Sequence, residues 1–242
     1  MQNYRNNPIF ANSILIQCPQ PMYRLISDIP NASSIKNIIF DFGGVICDLD
    51  ITRTENKFKE FGPPKPANSN PSHSLSRQFH ILVENLETGA ISPRKFREVI
   101  RNHYANPPSD QAIDETWNAM LLKIPQKRIH LLERLRNQFR IFLLSNSNQI
   151  HNEKYLRDFQ QQAGYRDLDE LFEKVYFSYK IGLKKPGKEI YEFVLSDSRL
   201  NPKESLFIDD TLENVQGAEA AGINGYHLKS GTEINDLFLS VR

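Results

Sequence analysis

The chain has 242 residues, of which 39% are hydrophobic, and its 30 Lys and Arg nearly balance its 29 Asp and Glu. This length suits one large domain, or a core with a smaller module. The small net charge gives no indication of nucleic-acid or membrane partners. Two cysteines, Cys18 and Cys47, exclude a disulfide framework, and no Cys/His spacing suggests a zinc site. We therefore expect a reduced cytoplasmic enzyme or binding protein.

The first part of the chain, residues 1–34, is rich in Asn, Gln, Pro and Ser and has one weak apolar patch at 14–16. That patch is too short for a signal peptide, and no segment has the length of a membrane span. Disorder, or a true start at Met22, is the favoured interpretation. A lipoprotein-type processing site at Cys18 is the alternative.

The first predicted strand of the core is the apolar run 38–40, which ends in Asp41. Such a run is typical of a strand that is buried on both faces. Open α/β sheets bind their ligands at the carboxyl ends of the strands, where Asp41 would lie. The following Gly43 and Gly44 can adopt backbone angles closed to other residues and let a ligand approach the main chain. Taken alone, an Asp-Gly hairpin turn would explain the stretch equally well.

The next segment predicts amphipathic helices with no strand between them. A loop rich in Pro and Gly at 62–73 separates the first helix from the others. Apolar residues recur at three- and four-residue spacing, and Ser92 followed by Pro93 is a typical helix start. We expect the helices at 51–61, 75–86, 92–103 and 110–122. This run indicates a small helical module inserted after the first strand.

From residue 125 onward, helix and strand patterns alternate. Such alternation predicts a parallel sheet with helices on both faces. The remaining strands are expected at 139–144, 174–178, 206–208 and 225–228. The helices are expected at 125–138, 149–162, 186–195, 211–221 and 233–239. The fold class is therefore a doubly wound parallel α/β sheet, similar to a Rossmann fold, with a helical insertion.

Polar side chains follow the predicted strands at the points where the strands end. They are, in chain order, Asp41, Ser145 with Asn146, Lys184 with Lys185, and Asp209 with Asp210. Each group has an ordinary explanation by itself, as a turn, a solvated surface pair or a helix cap. Together, at successive carboxyl ends of one sheet, they would converge on one crevice. A nucleophilic carboxylate, a hydroxyl, an ammonium and an acidic pair suit phosphoryl transfer with a divalent cation.

These four groups resemble, in order, the motifs of the haloacid dehalogenase superfamily of aspartate-nucleophile hydrolases. The matching segments are 40–45, 143–146, 185–186 and 207–210. The helical insertion is similar to the mobile cap of subfamily I. The segments 87–92, 144–148 and 182–186 resemble the branch that contains the bacterial α-glucose-1-phosphatase. The resemblance implies an extension at 1–34, a core at 35–48 and 125–242, and a cap at 49–124.

The resemblance also implies a role for each motif residue. Asp41 would attack phosphorus and carry an aspartyl-phosphate intermediate. Lys185 would balance the charge of nucleophile and phosphate. Ser145 and Asn146 would hydrogen-bond the phosphoryl oxygens, and Gly44 would let the substrate approach the backbone. The implied function is hydrolysis of a small phosphate monoester, such as a sugar phosphate, by a monomer or weak homodimer.

The implied cofactor is Mg²⁺, which prefers hard oxygen ligands. Its ligands would be the Asp41 carboxylate, the Gly43 carbonyl and the Asp210 carboxylate, with Asp209 in support. Without a cation, the carboxylates would repel one another. Asn214 stands where many relatives have a further aspartate, and as a neutral residue it would orient its neighbours without binding metal.

One departure from the family pattern concerns the residue that donates a proton to the leaving group. Most phosphatases of the superfamily have a general acid/base aspartate two residues after the nucleophile, and this chain has Gly43 there. The substrate could have a good leaving group, such as an anomeric oxygen, or Glu84 or Glu87 of the insertion could supply the proton. The alternative function is a catalytically weak protein that binds phosphorylated ligands for regulation. A metal-independent dehalogenase is a further rival, against which the acidic pair argues.

Overall fold

The computed structural model describes residues 22–63, 65 and 75–241. The strands of this part are β1 Met22–Leu25, β2 Asn37–Phe40, β3 Arg140–Ser145, β4 Lys174–Phe177, β5 Ser205–Asp209, β6 Asn224–His227 and β7 Phe238–Val241. Five of them form a parallel sheet in the order β4-β3-β2-β5-β6. The register pairs Phe40 with Leu143 on one side and Ile208 on the other, so β2 lies at the centre of the sheet. The predicted fold class is confirmed.

The helices of the described part are α1 Ile51–Glu60, α2 Leu75–Glu87, α3 Pro93–His103, α4 Asp110–Trp117, α5 Gln126–Leu135, α6 Gln149–Ala163, α7 Ser178–Ile181, α8 Lys188–Asp197 and α9 Leu212–Ala220. Helices α5 and α6 cover one face of the sheet, and α8 and α9 cover the other. Successive side chains of a strand point to opposite faces. Ile38 therefore packs in the first layer and Ile39 in the second. No helix within 22–63, 65 and 75–241 is long and apolar enough to cross a membrane.

A second, two-stranded sheet was not predicted. Strand β1 pairs antiparallel with β7 at the other end of the chain, and Gln138 holds β1 through both of its amide atoms. The predicted closing helix at 233–239 is wrong, because the structure has a 3-10 turn at Ile234–Leu237 followed by β7. The expectations for residues 1–21, and most of those for the loop at 62–73, lie outside the described residues.

Helices α1 to α4 form the insertion and pack around an apolar cluster that includes Phe96, Ile113 and Trp117 and extends to Ile150 of α6. The first turns of α3 and α4 are capped by Ser92 and Ser109, whose side chains accept hydrogen bonds from the backbone. The insertion joins the core through two segments, 48–50 and 120–123, which we call the hinge ladder. Their main chains pair antiparallel, with hydrogen bonds of 2.9 Å.

Candidate functional site

The carboxyl edge of the sheet brings together an ammonium and two carboxylates. Asp41 follows β2, and Asp209 ends the neighbouring strand β5. The Nζ atom of Lys185 lies 2.6 Å from Asp41 Oδ1 and 2.6 Å from Asp209 Oδ2. The Lys185 side chain is 1% exposed and that of Asp209 is 0% exposed, whereas Asp41 retains 10%. The nucleophile candidate is therefore the member of this cluster that a substrate can reach.

A third carboxylate, that of Asp210, completes a cluster suited to a metal. Asp41, Asp209 and Asp210 each offer an oxygen within 4.8 Å of the others. When ionised, the three carboxylates carry three negative charges, and Lys185 neutralises one of them. The remaining two charges match a divalent cation, and carboxylate oxygens are the donors that Mg²⁺ prefers. The residues present therefore fit the ion.

The cluster shifts the pKa values of its members. Burial raises the pKa of Asp41 to about 7, because it disfavours the charged form; Asp209 adds to this effect and Lys185 opposes it. Burial, with the charge of Asp209, also raises the pKa of Asp210. Burial alone would lower the pKa of Lys185, but the two carboxylates outweigh it and raise the value. A cation bound here would favour the ionised carboxylates.

Gly43 and Gly44, which follow Asp41, differ in their backbone conformation. Gly44 has φ 73°, in the left-handed region. A Cβ atom on Gly44 would lie 2.0 Å from Asp210 Oδ2, so only glycine allows the acidic pair to come this close to the loop. Gly43 does not have a positive φ. The expectation that both glycines serve special backbone angles therefore holds for Gly44 alone.

The motif residues of β3 have different surroundings. Ser145 ends β3, beside β2, and is buried. The side-chain amide of Asn146 donates to the carbonyl oxygen of Lys185 at 2.9 Å, and its Oδ1 accepts from the Lys185 backbone N–H at 2.9 Å. Asn146 thus fixes the loop that carries the lysine, a role that its position in the sequence did not suggest.

Asp209 is oriented by groups on the chain that follows it. The Nδ2 atom of Asn214 lies 3.1 Å from each carboxylate oxygen, and the backbone N–H of Thr211 donates to Oδ1 at 2.8 Å. These contacts agree with the orienting role that the resemblance implies for Asn214. The hydroxyl of Tyr191 donates to the Asn214 carbonyl at 2.6 Å, a support that sequence patterns did not reveal.

The two candidate proton donors of the insertion lie in different environments. Glu84 is exposed on α2. Glu87 Oε2 lies 2.9 Å from Nζ of Lys184, so it pairs with the residue next to Lys185. This ion pair connects the insertion with the lysine loop. The Glu87 carboxylate, a candidate proton donor, is therefore engaged in an ion pair in the structure.

Comparisons with known proteins agree with this geometry. A family model described as haloacid dehalogenase-like hydrolase matches residues 35–222. D-ribitol-5-phosphate phosphatase of Bacteroides thetaiotaomicron is 28% identical over 200 residues, which cover 82% of this chain and 94% of that protein. A sesquiterpene phosphatase of Aspergillus oryzae is 28% identical over 198 residues, covering 81% of this chain and 91% of that one.

Among solved structures, the chain is similar to a haloacid dehalogenase family enzyme of Bacteroides thetaiotaomicron in complex with magnesium and inorganic phosphate. The TM-score is 0.72 at 35% identity, and the match covers 84% of this chain and 98% of that chain. The similarity therefore extends over the sheet and the helical insertion.

Proposed function

The chain belongs to the haloacid dehalogenase-like hydrolase family, and we propose that it hydrolyses a small sugar phosphate through a phosphorylated intermediate on Asp41. Its reaction class is that of a phosphoric monoester phosphatase, and its cofactor is Mg²⁺. The observation that carries the proposal is the contact of Lys185 with Asp41 and Asp209, beside Asp210.

In the first half of the reaction, an Asp41 carboxylate oxygen attacks phosphorus, and the bond to the leaving oxygen breaks with its electron pair. In the second half, water attacks the phosphorus of the aspartyl phosphate and restores the carboxylate. Lys185 favours the ionised form of Asp41 and holds it in place, and Ser145 offers a hydroxyl to the phosphoryl group. Asn146 contributes by hydrogen-bonding the backbone of the loop that carries Lys185. Mg²⁺ would be held by the carboxylates of Asp41 and Asp210 and the carbonyl of Gly43, with Asp209 in support, and would supply positive charge that offsets the charge of the phosphoryl group.

The substrate class is argued from the relatives and the insertion. One relative is named for a polyol phosphate and another, of equal identity, for a sesquiterpene. These relatives therefore share the chemistry at the phosphate, and other residues must recognise the rest of the substrate. We assign recognition of this part of the substrate to a subfamily I cap at 49–124, which closes on a core made of 35–48 and 125–242. Within this class, the glucose-1-phosphatase-like segments favour sugar phosphates.

A panel of phosphate esters, assayed with Mg²⁺ and with EDTA, tests the proposal. It should contain sugar 1-phosphates, polyol phosphates, an isoprenoid phosphate and an aryl phosphate. We expect metal-dependent turnover with the highest kcat/KM on a sugar or polyol phosphate. Preference for the isoprenoid ester would reject the substrate class. Tight phosphate binding without turnover of any ester would favour the regulatory alternative, and halide release from a haloacid without Mg²⁺ would favour a dehalogenase.

A further inference from the structure

A cleft lies between the insertion and the core, apart from the reaction centre. Its volume is about 1130 Å³, which is large enough for a small metabolite. Helices α1, α3 and α4 of the insertion line it on one side, α6 of the core lines it on the other, and residues of the hinge ladder complete it. We call it the hinge cleft. Its lining includes none of Asp41, Ser145, Lys185, Asp209 and Asp210.

Four cations that line the hinge cleft form no ion pair within the part of the chain that the structure describes. They are Arg53 and Lys57 of α1, Lys123 of the hinge ladder and Arg157 of α6. The remaining residues of the chain include no Asp or Glu. No acidic side chain of this protein therefore neutralises these four charges.

The carboxylates that line the cleft are already engaged. Four of them form ion pairs, namely Asp48, Asp110, Asp114 and Asp158. The fifth, Glu115, accepts a hydrogen bond at 2.8 Å from Gln111, a neutral side chain that does not offset a carboxylate charge. One carboxylate therefore stands against four unpaired cations, which leaves an excess of three positive charges.

The stability of α1 does not account for the cations on its surface. Arg53 lies in the first turn of this helix, where the helix dipole favours anions over cations. Lys57 follows four residues later on the same face, and like charges at this spacing destabilise a helix. Both side chains therefore cost stability unless an anion lies against them.

We propose that the hinge cleft is a second ligand site, which binds a small molecule with two phosphate groups between the insertion and the core. A phosphate group carries about 1.5 to 2 negative charges near pH 7, so two groups offset the excess. The guanidinium groups of Arg53 and Arg157 can each hold a phosphate through two parallel hydrogen bonds, and the lysines add point charges. Because Arg53 belongs to the insertion and Arg157 to the core, the ligand bridges the two.

Calorimetric titration of the full chain with inorganic pyrophosphate, in EDTA, tests this site. Without a divalent cation, the reaction centre presents three carboxylates around the single ammonium of Lys185, which disfavours an anion there. We expect one pyrophosphate to bind per chain. Arg53→Gln and Arg157→Gln should each weaken binding by about tenfold, since each removes hydrogen bonds to a charged group. Inorganic phosphate, with one group, should bind more weakly than pyrophosphate.

The matched control is Arg166→Gln combined with Lys229→Gln, which removes two exposed cations outside the cleft. It should leave the dissociation constant of pyrophosphate unchanged. The inference is overturned if the wild type binds no pyrophosphate, or if the control weakens binding as much as Arg53→Gln with Arg157→Gln does. The latter result would indicate diffuse attraction to the whole surface. Loss of affinity in only one of the two single variants would overturn the bridging geometry, and equal affinity for phosphate would overturn the requirement for two groups.

Thermal unfolding in EDTA provides a second measurement. Without ligand, Arg53→Gln with Arg157→Gln should melt no lower than the wild type, because neither arginine forms an ion pair in the described part of the chain. A lower melting temperature would show that these cations serve folding, and would overturn the inference. Pyrophosphate should raise the melting temperature of the wild type but not that of the double variant. A wild type without phosphatase activity would reject the proposed function and leave both measurements unaffected.

Discussion

The charge of Lys185 can be removed with little change of shape by Lys185→Met. The ammonium is buried and touches two carboxylates at 2.6 Å each. Its loss leaves Asp41 and Asp209 facing each other without a cation, and removing one partner of a buried ion pair costs about 3–5 kcal/mol. For a chain of this size, each kcal/mol lowers the melting temperature by about 2–4 °C, so a decrease of roughly 6–20 °C is expected in EDTA.

The assay is thermal unfolding followed by circular dichroism, in EDTA and in saturating MgCl₂. Mg²⁺ should restore more stability to Lys185→Met than to the wild type, because it supplies the missing positive charge; ligand at about 100 times its Kd adds about 2.7 kcal/mol. Lys184→Met is the control, since Lys184 is 28% exposed in its pair with Glu87 and such pairs contribute about 0–1 kcal/mol. The reasoning is refuted if both variants lose equal stability, or if Mg²⁺ stabilises Lys185→Met no more than the wild type.

Three further changes test other parts of the site. Asp41→Asn should abolish turnover and leave the circular dichroism spectrum unchanged, because an amide cannot attack phosphorus; a wild-type rate would exclude Asp41 as nucleophile. Gly44→Ala should weaken Mg²⁺ binding in a calorimetric titration and cost about 1–3 kcal/mol in urea unfolding, owing to its φ of 73° and the clash with Asp210. Unchanged Mg²⁺ affinity would contradict the close approach. Burial lowers the pKa of His151 to about 3, against about 6.5 in an unfolded chain, so stability is lost as pH falls below about 6.5. At pH 5 the expected loss in the free energy of unfolding is about 2 kcal/mol relative to pH 7. His151→Gln should not show this loss when urea unfolding is compared at the two pH values. Equal losses in the variant and the wild type would refute the assignment to His151.

Local sequence patterns were sufficient to predict the central sheet. The run at 38–40 is apolar without alternation, as a strand covered on both faces requires, and Asp41 follows it directly. The polar residues at strand ends could be grouped because parallel strands end at a common edge. That argument predicts only that these residues lie near one another. The structure adds the distances between Lys185 and the two carboxylates.

The features that sequence patterns missed depend on contacts between distant segments. Strand β1 is four residues long and becomes a strand because β7 pairs with it, which no local periodicity indicates. The hydrogen bonds of the Asn146 amide to the backbone of Lys185, 39 residues away, were not predicted. Gly43 and Gly44 also differ in what lies opposite them, the side chain of Leu49 and the carboxylate of Asp210.

Two consecutive lysines link the helical insertion to the reaction centre. Lys184 binds Glu87 on α2, and Lys185 binds Asp41. Consecutive Cα atoms are about 3.8 Å apart, so the peptide between these residues is a tether with almost no slack. The place of the ammonium beside Asp41 is in this way linked, through one peptide unit, to the ion pair that Lys184 makes with the insertion.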